Sequence, residues 1–219
     1  MKAIIFDLDG TLIDTAPDIV AAANRMLDGI GVSALPFETV KSFIGNGVPR
    51  LVERVMEACE IDGSHGHGEL VQTFLKHYNA ALAQDSRPYP NLVTTLDALK
   101  ADGCVLGVCT NKTEALSRKI LAAFALDGYF DVMVGGDSLA CRKPDPTPLL
   151  HAFDAVSGSR RLFVGDSEVD AEAAVLARIP FARCTEGYRK AAISDVPHDF
   201  VFSDFAKLPD IARRALAPV

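Results

Sequence analysis

KAIIFDLDGTL, residues 2–12, sets an apolar run, Ala3 to Phe6, within a strand candidate Lys2 to Phe6, directly against two carboxylates, Asp7 and Asp9, one residue apart. A run that is apolar at successive rather than alternate positions is buried on both faces, as in a parallel sheet. Ligands of open parallel sheets bind beyond the carboxyl ends of the strands. The first strand therefore delivers two like charges to that edge. Like charges so close repel and lose hydration unless a cation answers them. A D-x-D pair by itself reads equally well as a capped turn, so the residues after the later strands decide between the two.

Further short runs rich in Val, Ile, Phe and Cys occur at Cys104 to Cys109, Asp131 to Val134, Leu162 to Gly165, Ile179 to Cys184 and Asp199 to Phe202. Between them lie helical spacings, such as Leu116, Ile120, Leu121 and Phe124, or Leu149, Leu150 and Phe153. This β-α-β alternation predicts an α/β fold with a Rossmann-like, doubly wound parallel sheet. The gap from Phe6 to Cys104 is too long for one crossover and reads as helical. Ile19, Ala22, Ala23, Met26 and Leu27 keep helical spacing, with Asp14 or Thr15 placed to cap, and so do Leu51, Val52 and Val55, and Leu70, Phe74 and Tyr78. The pattern predicts an inserted α-helical cap domain, residues 16–85, and a core of residues 1–15 and 86–219. Its hinges fall in the polar, proline-containing stretches Ile13 to Pro17 and Gln84 to Pro90.

The 219 residues are 49% hydrophobic and 23% charged, an ordinary globular balance, and the net charge is −7. An acidic chain argues against nucleic acid as a partner, which needs a clustered basic surface. It leaves room for an anionic substrate beside a metal and one or two cations. The five cysteines form no C-x-x-C pair and read as free thiols of a reducing compartment. No apolar run approaches the ~20 residues of a membrane helix, and the N-terminus lacks a signal-peptide pattern. A cytoplasmic protein without membrane partners is expected, as monomer or homodimer.

The residues that follow the strands form a chemically coherent set. Thr110 and Asn111 come after the second run, Lys143 on a longer loop after the third, and Asp166, then Asp170, after the fourth. Each alone has a bland reading: Thr110-Asn111 as a strand-to-helix cap, the Asp166 to Asp170 stretch as a helix N-cap. Their joint occurrence at one sheet edge favours chemistry. Hard oxygen ligands with few histidines point to Mg²⁺, which takes one or two carboxylates plus a phosphate. Thr110 and Lys143 suit the remaining phosphate oxygens. Asp7 then suits a nucleophile forming an aspartyl-phosphate, and Asp9 a general acid and base. His65 and His67 lack a third ligand nearby and read as loop.

Phe6 to Leu12, Cys109 to Lys112, Arg142 to Pro146 and Val164 to Asp170 together resemble the four motifs of the haloacid dehalogenase superfamily. The resemblance implies phosphoryl transfer through Asp7. It implies a metal held by the Asp7 carboxylate, the Asp9 main-chain carbonyl and Asp166, with Asp170 as a more distant or water-mediated partner. Thr110, Asn111 and Lys143 would bind the phosphoryl group. Val169 stands where relatives often carry Asn. Phe43 to Arg54 is similar to the cap segment of bacterial phosphoglycolate phosphatases, as are Asp14 to Ile19 and Pro88 to Asn91. That implies Gly45, Gly47 and Arg50 as contacts to a small phosphorylated substrate, 2-phosphoglycolate, with Arg54 one turn later at the surface. Another small ester (a sugar phosphate, a nucleotide or pyrophosphate) stays open, as does a mutase. Receiver domains combine similar groups but lack the helical insert and an acid/base placed like Asp9.

Overall fold

In the computed structural model, which describes residues 1–62, 65–188 and 190–218, the opening run becomes the middle of a sheet. β1 (Lys2–Phe6) and the two-residue β2 (Ile13–Asp14) are followed by four helices: α1 (Ala16–Asp28), α2 (Phe37–Lys41), α3 (Val48–Ala58) and α4 (His67–Ala80). After the two-residue β3 (Arg87–Pro88), helices and strands alternate: α5 (Leu92–Ala101), β4 (Cys104–Cys109), α6 (Glu114–Ala123), β5 (Val132–Val134), α7 (Thr147–Ala155) and β6 (Arg160–Gly165). α8 (Glu168–Ala177), β7 (Phe181–Cys184), β8 (Phe200–Phe202) and α9 (Leu208–Ala215) complete the chain. Two units result: Met1–Asp14 with Pro88–Val219, and Thr15–Arg87.

The first unit holds a six-stranded sheet in the order β5-β4-β1-β6-β7-β8, with every pair parallel. Counted along the chain this is the doubly wound order, with its topological switch between β1 and β6. β1 has both faces covered: Ala3, Ile4, Ile5 and Phe6 have no exposed surface. α7 and α8 pack on one face, where Ala3, Ile5, Leu149, Phe153, Phe163 and Phe181 share a core. α5 packs on β4 and on α9. The expected strand ends shift for identifiable reasons. β7 starts at Phe181 rather than Ile179; Pro180 has no N–H to give the ladder and only accepts, from Phe163 N at 3.0 Å. β6 starts earlier than expected because Arg160 and Arg161 pair with Lys2 and Ala3 through backbone groups, whatever their side chains.

In the second unit α1 buries Ile19, Val20, Ala23, Met26 and Leu27 and packs on α2 and α4, while α4 also packs on α3. Phe74 and Tyr78, one turn apart on α4, are stacked at 5.7 Å. The expected capping of α1 by Asp14 or Thr15 is not made. Thr15 has helical angles rather than the extended ones that aim a capping hydroxyl, and its side chain makes no cap bond. Asp18 does the ordering instead. It is buried and accepts from Asp85 N at 2.8 Å, Ser86 N at 3.1 Å and Ser86 Oγ at 2.5 Å, tying the first turn of α1 to residues 85–86. Arg54 is not the surface residue expected. It is half-buried and donates to Phe43 O at 3.0 Å and Asn46 Oδ1 at 3.1 Å, bracing the loop before α3. In that loop Gly45 and Gly47 have φ of +119° and +82°, which side chains rarely tolerate. Among the described residues, no helix is long and apolar enough to cross a membrane. All five cysteines are free thiols.

Gly107 in β4 is the tightest point of the sheet: a Cβ there would lie 2.3 Å from Val132 Cγ1 and 2.7 Å from Ile5 Cδ1. Gly107→Ala should therefore cost about 1–3 kcal/mol of stability through overpacking. Urea unfolding measures this, and an unchanged midpoint would show that the neighbours yield freely.

Candidate active site

The parallel registers align the strand ends. Phe6 is level with Val108 of β4 and Val164 of β6, so the residues just beyond (Asp7, the Cys109-Thr110 turn, and Gly165-Asp166) meet at one edge beside the switch point. Asp7 stays in line because its N–H still donates to Val164 O at 2.8 Å. Oxygens of Asp7, Asp166 and Asp170 lie within 4.8 Å of one another.

Lys143 stands among them. Its side chain is 1% exposed, and its Nζ is 2.6 Å from Asp170 Oδ1 and 3.0 Å from Asp7 Oδ1. The ring of Phe163 lies under it at 5.2 Å. The loop that carries it is held by Asn111, whose Nδ2 donates to Lys143 O at 2.9 Å. Burial alone would push the Lys143 pKa down, but Asp170 and Asp7 outweigh it and hold the ammonium above its ordinary value. Burial pushes the Asp7 carboxyl up to about 6, against the attraction of Lys143 and with the help of Asp170 and Asp9. Asp166 is raised as well, first by burial and then by Asp170 and Asp7, while the Tyr188 amide and the Thr11 hydroxyl oppose.

Each carboxylate has a distinct set of partners. Asp166 accepts from Thr11 Oγ1 at 2.8 Å and Tyr188 N at 2.6 Å. The Tyr188 loop can come this close because residue 187 is glycine: a Cβ there would lie 2.3 Å from Asp166 Oδ2. Asp170 spends one oxygen on Lys143 and the other on Ser167, whose Oγ donates at 2.6 Å and whose backbone is part of a capping box that starts α8. The N-cap reading and the site reading of this stretch are thus both realised. Asp7 Oδ1 takes no hydrogen bond beyond its ion pair with Lys143. Asp9, less buried, accepts from Lys112 Nζ through both oxygens, at 3.0 and 2.9 Å. Thr110 is 4% exposed and its Oγ1 accepts from Lys112 N at 3.3 Å.

The structure thus gathers Asp7, Asp9, Thr110, Asn111, Lys143, Asp166 and Asp170 in the first unit. Gly45, Gly47 and Arg50 belong to the second. There, Arg50 is on the exposed first turn of α3, paired with Glu53 at 2.5 Å and with Glu57 at 3.9 Å. Thr11, Lys112, Ser167 and Tyr188 have no task that the sequence alone assigns. Thr11, Lys112 and Ser167 lie inside the motif stretches. Tyr188 comes after Asp166 by a full helix and strand, and nothing local marked it.

The donor set is suited to a hard divalent cation. The grouped ligand atoms are carboxylate oxygens. The Cys109 thiol, a soft donor next to Thr110 in the chain, is pushed up to about 12 by burial and stays protonated.

Ionised Asp7 costs stability because burial and the neighbouring Asp170 and Asp9 outweigh the attraction of Lys143. The folded state keeps the Asp7 proton to about pH 6, the unfolded chain only to about 3.8, so this cost appears as pH rises through that window. In EDTA at pH 8, Asp7→Asn should thus be more stable than the wild type by up to about 3 kcal/mol, a gain that fades below pH 4. Denaturant unfolding at both pH values measures it; equal effects at the two would place the strain elsewhere.

Comparison with known proteins adds independent findings. The sequence profile of the haloacid dehalogenase-like hydrolases matches residues 4–184. A phosphoglycolate phosphatase of Cereibacter sphaeroides is 45% identical over 99% of this chain and 100% of its own length. One from Cupriavidus necator, plasmid-borne, is 45% identical over 85% of this chain and 81% of its own. The crystal structure of a predicted phosphoglycolate phosphatase from Haemophilus somnus superposes with a TM-score of 0.92 at 35% identity, covering 96% of this chain and 97% of that one.

Proposed function

Since the chain belongs to the haloacid dehalogenase-like hydrolase family and is a phosphoric monoester hydrolase, we propose that it hydrolyses 2-phosphoglycolate to glycolate and phosphate, with Mg²⁺, through phosphorylated Asp7. The observation that carries the chemistry is the buried Asp7 carboxylate, raised in pKa and set beside Lys143 at the switch point of the sheet. The substrate class is supported by full-length similarity to the phosphoglycolate phosphatase of Cereibacter sphaeroides.

In this reading Asp7 and Asp166 would hold the metal, with the Asp9 main-chain carbonyl. Asp170, its oxygens engaged with Lys143 and Ser167, would act at one remove. Bound Mg²⁺ would offset the excess negative charge and polarise a phosphoryl oxygen. Lys143, Thr110 and the Asn111 region orient the phosphoryl group. An Asp7 oxygen forms a bond to phosphorus as the bond to the glycolate oxygen breaks, and Asp9 gives that oxygen its proton. Asp9 then takes a proton from water, whose oxygen bonds to phosphorus as the Asp7 bond breaks, restoring both carboxyl groups. The substrate-contact task that the resemblance gives Gly45, Gly47 and Arg50 is part of this reading.

The test is phosphate release from 2-phosphoglycolate, sugar phosphates, nucleotides, pyrophosphate and p-nitrophenyl phosphate. 2-Phosphoglycolate should give the highest kcat/KM, EDTA should abolish turnover, and Asp7→Asn should lower kcat by more than about 1,000-fold. Retained activity in Asp7→Asn would remove it as nucleophile. A different best substrate would leave the chemistry standing and replace the ester.

A further inference from the structure

The proposed mechanism employs one buried ammonium, that of Lys143, yet the same edge holds a second. Lys112 is 7% exposed, and its Nζ binds both oxygens of the Asp9 carboxylate. Its own N–H donates to Thr110 Oγ1, so it is anchored to the β4 turn that orients the phosphoryl group. Removing an ammonium from water is costly, and an ion pair serving only to brace a loop gains nothing from that position.

The geometry points to Lys112 as a specificity-determining residue: its ammonium moves from Asp9 to the carboxylate of the substrate. This rests on the 2-phosphoglycolate reading. If Asp9 protonates the leaving oxygen, it must come within hydrogen-bond distance of it. In a phosphorylated 2-hydroxy acid, the carboxylate carbon is two bonds from that same oxygen. A cation bonded to Asp9 therefore stands next to where the substrate carboxylate will be. The lysine stem is flexible and its three donors rotate, so the exchange needs no backbone motion. Charge-assisted hydrogen bonds to one carboxylate replace those to another. The exchange also frees the Asp9 oxygens for the leaving group. An uncharged ester offers Lys112 nothing in return, leaving the ammonium on Asp9, where it competes for the oxygen the reaction needs. Lys112 thus favours carboxylate-bearing esters and disfavours neutral ones, as specificity commonly requires.

The test compares 2-phosphoglycolate with 2-hydroxyethyl phosphate, which carries an alcohol in place of the carboxylate, on the Mg²⁺-loaded full chain. In Lys112→Met the ratio of kcat/KM values for the two esters should fall about 10- to 100-fold. KM for 2-phosphoglycolate should rise, and Lys112→Arg should restore much of the ratio. The same ratio in Lys112→Met and wild type would overturn the inference and leave the substrate reading intact. A wild type with no preference for 2-phosphoglycolate would overturn both. A second measurement does not need that variant to fold. In an Asp7→Asn background, adding Asp9→Asn releases Lys112 from its partner and should tighten 2-phosphoglycolate binding by calorimetry, whereas unchanged or weaker binding would refute the exchange.

Discussion

Lys143 lies between a carboxylate beyond a strand and one on a helix, and the arrangement of the whole sheet edge reflects the need to answer buried charge. Its ammonium meets Asp7 beyond β1 and Asp170 on α8, with the Phe163 ring beneath. An ion pair removed from water breaks even only when its remaining donors and acceptors are satisfied. Asn111 therefore holds the Lys143 loop by its carbonyl, and Ser167 takes the second oxygen of Asp170. Even so, the carboxylates outnumber the ammonium, and Asp7 and Asp166 show the imbalance as raised pKa values. A divalent cation and a phosphoryl group are the chemical complement of that surplus and of the donors around it.

The same constraint explains the close approach of backbone around Asp166. Hydrogen bonds from Thr11 and from the Tyr188 amide favour its ionised form, and the amide arrives only because Gly187 leaves no Cβ in the way. Tyr188 then reaches back with its hydroxyl to Asp14, 2.7 Å away. The residue expected to cap α1 is thus engaged by the loop after β7, while the interior of the helical unit is organised by Asp18. Each change of partner has a local geometric cause: a Thr15 with helical angles cannot cap, and a buried Asp18 needs donors wherever it finds them.

Legibility depended on the kind of signal. Strands with continuous apolar runs, β1 and β4, are readable in the sequence because most of their positions are buried on both faces and a polar residue follows each run, Asp7 or Thr110. β6 extends beyond its apolar run because Arg160 and Arg161 pair through backbone, and β7 falls short of its apolar run because Ile179 precedes Pro180. Arg54 looked like a surface residue by its charge and one-turn offset, whereas its guanidinium braces Phe43 and Asn46. Hydrophobic periodicity reports which face is buried; it does not report which carbonyl a long polar side chain will find.

The sequence by itself determined the alternating α/β order, the run of helices after the first strand, and the placing of Asp7, Thr110 and Asp166 directly after strands, because burial and turn chemistry act over a few residues. Only the tertiary structure decided which charges meet: Lys143 with Asp7 and Asp170, Lys112 with Asp9, Tyr188 with Asp166 and Asp14. Those pairings span long stretches of chain, and they are selected by the register of parallel strands and by the cost of leaving a buried charge unanswered, neither of which is written in local sequence.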